Sequence, residues 1–299
     1  MSLIKKRIGL DATCFNQRQS GAKQRFINLY TELFRIMPSS KFYIFEAKDY
    51  SIKNDLYNSK FKNVNFIKTN INSKNNFINI IRAYLFWKKN LKQYNLDIFE
   101  TFRLPIFNKF SKITILTIHD LRYLFSKFSG YKKFFNFFYC KIFLGIISQF
   151  IVVSNSTKKE LKSKLNFHNI TVIENGIDIN KFKKLSRSLK FQSNSSFIMK
   201  EKFIFTVGHF ELRKNYLNLI LSIKKLKNFN IKLIIAGNAN SKKEIIYKKN
   251  LQNIIFENKL NYRVKLLSNL SDDEIKILYK NCSLFIFPST YEGFGIPVL

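Results

Sequence analysis

The sequence predicts an α/β protein built as two Rossmann-like, doubly wound parallel-sheet domains facing a cleft. Three observations predict it. Short apolar runs of strand length alternate along the chain with apolar residues at helical spacing, the pattern of a parallel sheet with helices on both faces. A Lys- and Ser-rich stretch without a steady period, residues 181–200, interrupts that series, which then begins again. Most of the chemically notable side chains directly follow strand-like runs, where open α/β sheets place their ligand sites. The division is therefore an N-terminal domain 1–180, a linker 181–200 and a second domain 201–299, and 299 residues is an ordinary length for two domains.

Taken in order, residues 7–10 form a first strand after a basic lead-in. Phe26, Leu29, Tyr30 and Leu33 then mark one face of a helix. Strands follow at 42–45 and 64–67. Phe77, Ile80, Ile81, Tyr84, Leu85 and Leu91 mark a second amphipathic helix. Residues 97–99 and 113–118 read as strands, 133–147 as a helix and 150–153 as a strand. T-K-K-E at 157–160 has the wording of a capping box opening a helix with Leu161 and Leu165, and 170–173 is the last strand of this half. The second series starts with a strand at 203–207, turns at Gly208 and enters a helix near Asn215. Residues 231–235 form a strand ended by Gly237. S-D-D-E at 271–274 is another capping box, whose helix leads into a final strand at 284–287 stopped by Pro288.

Composition is globular, with 46% hydrophobic and 16% aromatic residues, enough for a sizeable core. Cys14, Cys140 and Cys282 are scattered without metal spacing, and an odd count argues against a disulfide framework. The expected compartment is the cytoplasm, since no signal-peptide h-region follows the N-terminus. The formal charge of +33 is extreme. Part of it reflects a Lys-, Asn-, Ile- and Phe-rich composition of the kind AT-rich codons produce. The rest favours anionic partners: nucleotide phosphates, acidic lipid headgroups or nucleic acid. The apolar stretch 134–153 is broken by Asn136, Lys141, Ser148 and Gln149 and does not read as a membrane span. Trp87 beside Phe86, Lys88 and Lys89, and Y-K-K-F-F at 131–135, mix aromatic and basic residues in a way that suits an anionic interface, with core packing and solvated lysines as the competing reading.

The last dozen residues, P-S-T-Y-E-G-F-G-I-P-V-L, put a carboxylate and two glycines in a turn after a strand. Gly293 and Gly295 allow close approach of backbone N–H groups to a ligand, and Glu292 can accept from hydroxyls. Read alone, this is equally an ordinary loop with a solvated Glu. Arg213 and Lys214, in G-H-F-E-L-R-K-N, follow the first strand of the second domain and precede a helix, which suits a diphosphate. With 52 Lys and Arg that pair alone is a weak signal. His119 and Asp120 follow the strand 113–118, and a lone His at a strand end is more often a structural hydrogen-bonder. Ser20, Gly21 and Lys23 lie in the first βα loop, where Gly21 can take a positive φ and the adjoining amides can meet a phosphate. An ordinary βα loop is the alternative.

These wordings, the last twelve residues above all, resemble the donor site of retaining glycosyltransferases with the GT-B fold, glycosyltransferase family 4. The family's pattern is a Glu, seven residues, then a second Glu. Glu292 fits the first position, and the sequence stops one residue before the second, which in the family holds the nucleotide's ribose. The expectation is therefore a second domain that is incomplete, with apolar surface exposed where further helices would pack. The resemblance implies that Arg213 and Lys214 neutralise the departing pyrophosphate. It implies that Glu292 holds a donor-sugar hydroxyl, assisted by amides near Phe294 and Gly295, and that His119 lies near the sugar ring. Gly208 and Leu266 join Ser20, Gly21, Phe294 and Gly295 as donor-binding candidates, Leu266 through backbone contacts to the base. V-I-E-N-G-I-D at 172–178 resembles a family segment near the domain boundary, and its Asn-Gly is a turn by chemistry alone.

The implied reaction is retaining transfer of a hexose-type sugar from a nucleotide diphosphate sugar, a co-substrate rather than a cofactor, to a glycan or lipid-linked acceptor. No Asp-x-Asp occurs, so a metal-free reaction is expected and the metal-dependent GT-A class is disfavoured. Peripheral placement at the inner face of a membrane is a separate expectation. Two alternatives stand beside it: a catalytically impaired fragment of such an enzyme, and a basic nucleic-acid-binding protein. Against the latter, Lys and Arg are spread along the chain, and no zinc-finger, RNP or KH wording occurs.

Overall fold

The computed structural model describes residues 5–18, 20–56, 61–73, 77–102, 111–121, 145–165, 167–179, 201–226 and 229–299. The chain forms two compact units, Met1–Gly176 and Ile177–Leu299. The stretch 181–200 and the aromatic-basic run 131–135 lie outside the described residues. Of the helix expected at 133–147, only 145–147 are described, and they are not helical. No helix among the described residues is long and apolar enough to cross a membrane.

The first unit is a seven-stranded parallel sheet in the order β3-β2-β1-β4-β5-β6-β7. Its strands are β1 (Arg7–Ala12), β2 (Lys41–Glu46), β3 (Val64–Lys68), β4 (Ile98–Thr101), β5 (Ile113–Ile118), β6 (Gln149–Val152) and β7 (Ile170–Val172). The alternation of side chains along a strand divides the core in two. Ile8 and Leu10 of β1 join Phe42 and Ile44 of β2 under helix α1 (Gly21–Ile36), which buries Phe26, Ile27, Tyr30 and Phe34 at helical spacing. Phe45 and Phe99 point to the opposite face and meet helix α2 (Phe77–Asn90) through Trp87, whose ring lies 5.2 Å from that of Phe45 and 5.4 Å from that of Phe99. Trp87 is therefore a core residue, 5% exposed, and not the interfacial aromatic its basic neighbours suggested.

Two local readings are corrected here. Helix α3 (Asn155–Leu165) begins before the T-K-K-E wording, and Ser154 rather than Thr157 caps it: Ser154 Oγ accepts from Thr157 N at 3.1 Å. Ser154 stands one residue ahead of the first helical turn, where a side-chain oxygen can reach the unpaired N–H groups. The Asn-Gly at 175–176 forms no regular turn; Asn175 instead accepts a hydrogen bond from Arg25 of α1.

The second unit is a four-stranded parallel sheet, β10-β9-β8-β11, made of β8 (Phe203–Val207), β9 (Lys232–Ala236), β10 (Val264–Leu267) and β11 (Leu284–Phe285). Helices α4 (Tyr216–Lys225) and α5 (Lys242–Glu257) cover one face, burying Tyr216, Ile220, Leu251 and Ile255 against Leu233 and Ile235. Helix α6 (Asp272–Asn281) covers the other with Leu278 against Phe203, Phe205 and Ile234. The box expected at 271–274 is formed, with Ser271 N donating to Glu274 at 2.9 Å and Glu274 N to Ser271 Oγ at 3.2 Å. Arg263, buried, holds the crossover from α4 to β9 by donating to the carbonyls of Leu226, Phe229 and Ile231.

Candidate donor site at the switch point of the second sheet

In an open parallel sheet, loops leaving two neighbouring strands in opposite directions open a crevice at their carboxyl ends. In the second unit that point lies between β8 and β11, since β8 turns toward β9 on one side and β11 pairs on the other. The loop after β8 carries Gly208, Arg213 and Lys214; the loop after β11 carries Glu292, Phe294 and Gly295. The fold thus brings together residues nearly eighty positions apart.

Arg213 and Lys214 end a single 3-10 turn, Leu212–Lys214, which Asn215 closes in the left-handed conformation before α4 begins. Lys214 is 5% exposed. Its Nζ donates to Glu292 Oε1 at 2.7 Å and lies 4.7 Å above the Phe287 ring. Arg213 donates to the same Glu292 oxygen, to the Tyr291 carbonyl at 3.1 Å and through Nε to Glu211 at 2.6 Å. Thr290 N returns a bond to the Arg213 carbonyl at 2.8 Å, so the two loops are stitched by backbone as well as charge. Burial pulls the Lys214 ammonium below the ordinary lysine value, and Glu292 opposes that pull. One carboxylate oxygen, Oε1, therefore fixes two cations.

Two glycines are required by this packing. Gly208 has φ +152°, and a Cβ there would stand 2.8 Å from Lys214 Cε and 3.1 Å from the Tyr216 hydroxyl. Gly237, at the end of β9, faces the Gly208 carbonyl so closely that a Cβ would come to 1.9 Å. The C-terminal loop bounds a cavity of about 450 Å³ lined by Phe287, Ser289, Glu292, Phe294 and Gly295, among others, and Ser289 Oγ is buried beside it without a hydrogen-bond partner. Leu266 lies within β10, paired with Ile235, and its side chain packs against the core. Any contact it makes with a ligand is through its backbone.

The first unit has its own switch point, between β1 and β4, and a buried polar cluster occupies it. Asp11 accepts from Thr13 N and Oγ1 and from Thr101 Oγ1. Glu100 accepts from Thr117 Oγ1 at 2.6 Å and from the Tyr30 hydroxyl, and burial pushes its carboxyl up. Arg25, 5% exposed, donates to the Glu174 carbonyl at 2.9 Å and to Asn175 Oδ1 at 3.2 Å. His119 stands next to this cluster at the end of β5, with Nε2 buried and unpartnered. Burial first, and then the Arg25 charge, lowers its pKa to about 4 against a smaller opposing effect of Asp120. The imidazole is neutral at physiological pH.

The first βα loop is organised differently from its sequence reading. Ser20 is the N-cap of α1, accepting from Lys23 N at 3.2 Å, and Gly21 is the first helical residue, so the positive φ anticipated there is not used. Lys23 is 1% exposed, and its ammonium is taken up by the Asn16 carbonyl, the Tyr50 hydroxyl and Asp55 at 3.0 Å. That lysine ties the loop down. Its charge is already neutralised.

Glu100, Asp11 and Arg25 are not among the candidates expected from the sequence. The signal for the first was present: an acidic residue directly after the apolar pair Ile98-Phe99 in a strand buried on both faces needs a partner. Arg25 gives no such signal, because a basic residue on a helix is ordinarily solvated.

Comparison with known proteins bears on the family and the fold. A family model for group 1 glycosyl transferases matches residues 188–299, and one for glycosyltransferase family 4 matches residues 49–181. Together they take in most of both units. The chain belongs to the GT-B glycosyltransferases of this family. Among its curated relatives is an uncharacterized glycosyltransferase of Methanocaldococcus jannaschii, 31% identical over 159 residues, a match covering 50% of this chain and 39% of the relative. Another is the O-antigen chain mannosyltransferase RfbU of Salmonella typhimurium, 26% identical over 187 residues, covering 61% and 47%. The chain thus spans less than half the length of either. Among solved structures, Anabaena HepE in complex with UDP and glucose superposes with a TM-score of 0.71 at 17% identity, covering 98% of this chain and 77% of HepE. A glycosyltransferase from Rickettsia africae gives 0.70 at 20%, covering 98% and 76%. At these identities the solved structures speak for the GT-B fold of this family member, and the roles of its side chains rest on their own geometry.

The state of His119 has a measurable consequence. Its folded pKa lies below the unfolded value of 6.5, so the unfolded chain takes up the proton first as pH falls. Stability carried by the neutral ring is complete above pH 6.5 and is lost toward pH 4, on the order of 2–3 kcal/mol for a shift of this size. Urea unfolding at pH 7 and pH 4 checks this: His119→Gln should lose that much less between the two pH values than the parent, and equal losses would contradict it.

Proposed function

We propose that this chain transfers a hexose-type sugar from a nucleoside diphosphate sugar to a glycan or lipid-linked acceptor, with retention of anomeric configuration and without a metal ion. The carrying observation is the convergence of Arg213, Lys214 and Glu292 at the switch point of the second sheet. As the sugar departs, negative charge builds on the diphosphate and positive charge on the anomeric carbon. Cations already fixed before the donor arrives stabilise the leaving group without having to reorganise at the moment of reaction. The guanidinium and ammonium carry more N–H donors than Glu292, Glu211 and the Tyr291 carbonyl occupy, so both can take phosphate oxygens while keeping their present contacts. Glu292 then has two tasks. Oε1 sets the cations, and Oε2 accepts from a sugar hydroxyl and orients the ring.

The cavity beside Phe294 and Gly295 offers the sugar its place, with Ser289 Oγ as a further donor. HepE was solved with UDP and with UDP-glucose, and RfbU is named a mannosyltransferase; both names are consistent with a hexose donor. The test is transfer from labelled UDP-, GDP- and ADP-hexoses in the presence of chelator, with the product's anomeric configuration read by NMR. One productive donor and a product of unchanged configuration support the reading; an inverted product, or turnover that chelator abolishes, overturns it.

A further inference from the structure

We propose that Lys248 reads the nucleobase of the donor, admitting bases that carry a carbonyl oxygen where cytosine and adenine carry an amino group. The inference rests on the nucleoside diphosphate sugar reading above and names the class of nucleotide that the same site takes. Lys248 belongs to helix α5, which opens shortly after β9. Side chains on a helix lean toward its N-terminus, so this one reaches back to the carboxyl edge of the sheet. There its Nζ donates to Ser268 Oγ at 2.7 Å and lies 5.3 Å above the Phe210 ring. Ser268, directly after β10, in turn donates to the carbonyl of Gly237, directly after β9, at 2.8 Å. Phe210 lies in the loop after β8. Asn238 ties the same three loops: its side-chain oxygen accepts from Asn269 N at 2.7 Å and its carbonyl from Phe210 N at 3.3 Å. The ammonium is thus held where the ends of β8, β9 and β10 meet.

Lys248 differs from the buried lysines of this chain in its lack of a counter-charge. Lys23, Lys214 and Lys232 each face a carboxylate at 3.0 Å or less. Lys248 is half-buried, yet among the described residues its polar partner is a hydroxyl and no carboxylate pairs with it. Glu244, one turn earlier on α5, is turned back to Asn240 N at 2.7 Å and Ser241 N at 3.2 Å, where it closes the cap. An ammonium has three donors; Ser268 takes one, and the Phe210 face stabilises the charge without taking up the rest. A half-buried donor left in this state calls for an acceptor on the ligand.

The topology says which part of the donor arrives there. In the proposed site Arg213 and Lys214 take the diphosphate between β8 and β11, and the cavity offered to the sugar is lined by the loop after β11. The diphosphate joins sugar to nucleoside, so the nucleoside leaves on the other side, over β9 and β10. Strands lie ~4.8 Å apart, which puts the end of β10 about 10 Å beyond β8, a span for ribose and base. At a base edge an ammonium separates acceptors from donors. The 4-oxo group of uracil and the 6-oxo group of guanine or hypoxanthine accept from it. The amino groups of cytosine and adenine set N–H against N–H and leave Lys248 desolvated without a partner, a mismatch worse than a missing contact.

Calorimetric titration of the chain with two matched pairs, UDP against CDP and IDP against ADP, isolates that substituent. In the pair that contains the tightest ligand, the oxo base should be favoured at least tenfold. Lys248→Met should bring the ratio to within about twofold, by weakening the oxo member, whereas Lys248→Arg keeps a cationic donor and should retain the preference. Each ratio is taken within one protein, so a modest loss of stability in a variant leaves the readout intact. Inorganic pyrophosphate should bind the parent and Lys248→Met alike, because the phosphates lie elsewhere. An amino base bound as tightly as its oxo counterpart overturns the proposal, as does a preference that survives in Lys248→Met or is lost equally in Lys248→Arg. Pyrophosphate affinity that falls with Lys248→Met also overturns it, by making this lysine a phosphate ligand. Binding of diphosphates without discrimination removes this inference alone; failure of every nucleoside diphosphate to bind the parent removes the donor-site reading and this inference with it.

Discussion

Glu292→Gln is expected to lower turnover about a hundredfold, the scale of losing one preorganised electrostatic partner in an active site, and to destabilise the fold by about 3 kcal/mol. The stability loss has a specific source. Lys214 is 5% exposed, and its charge is compensated by one carboxylate oxygen at 2.7 Å. Gln keeps the shape and a hydrogen-bond acceptor but removes the charge, leaving an ammonium buried without an ionic partner. Arg213 keeps Glu211 and is less affected. Lys214→Met is the instructive comparison: it takes away the buried cation itself, and Glu292 stays paired with Arg213, so it should cost less stability while weakening diphosphate binding as much or more.

The pH dependence of Glu292→Gln follows in sign. Burial already holds Lys214 below the ordinary lysine value, and the neighbouring carboxylate is what raises it back. Without the carboxylate the folded pKa falls further below the unfolded one. The desolvation penalty is present below the folded pKa and is relieved as pH rises from there to the unfolded value. Denaturant titrations between pH 7 and pH 10 should therefore show the variant regaining stability relative to the parent. A constant gap across that range would contradict the assignment of the penalty to Lys214.

Gly237→Ala is expected to be the most damaging small substitution in the second unit, at about 3 kcal/mol, the upper part of the overpacking range. The new methyl would meet the Gly208 carbonyl at 1.9 Å, and a backbone oxygen cannot rotate away as a side chain can. That carbonyl accepts from the Tyr216 hydroxyl at 3.0 Å, and Gly208 N donates to Ala236 at 2.9 Å. Moving it shifts the turn that Lys214 lies across. Diphosphate affinity should thus fall together with melting temperature. Gly176→Ala is the matched control, since a Cβ there meets nothing within 4 Å, and it should stay within about 0.5 kcal/mol of the parent.

The residues that were legible in the sequence are those whose chemistry is punctuated locally. Gly208, Arg213, Lys214 and Glu292 lie in loops that follow apolar runs, and parallel-sheet topology brings the two loops together. Helix α5 and strand β10 went unread for the opposite reason. S-K-K-E at 241–244 is a capping box, formed in the structure with Glu244 N donating to Ser241 Oγ at 3.3 Å. The helix behind it, however, buries only Glu244, Leu251 and Ile255 and exposes Ile245, Ile246 and Phe256, so its apolar residues do not trace one stripe. Val264–Leu267 contains a lysine at its second position, which breaks the apolar run expected of a parallel strand; Lys265 is exposed at the sheet edge. Arg25 and Glu100 were illegible in pairing terms, because a buried ionic cluster is specified by the approach of helix to sheet and not by spacing along the chain.

The measurement that bears most directly on the proposed donor site is calorimetric titration of the chain with UDP, GDP and ADP and with the corresponding monophosphates, repeated on Lys214→Met. The account predicts that one diphosphate binds, that its monophosphate binds at least tenfold more weakly, and that Lys214→Met brings the two to about the same affinity by removing a charge-assisted phosphate contact. A diphosphate preference that survives intact in Lys214→Met would place the pyrophosphate elsewhere and contradict it.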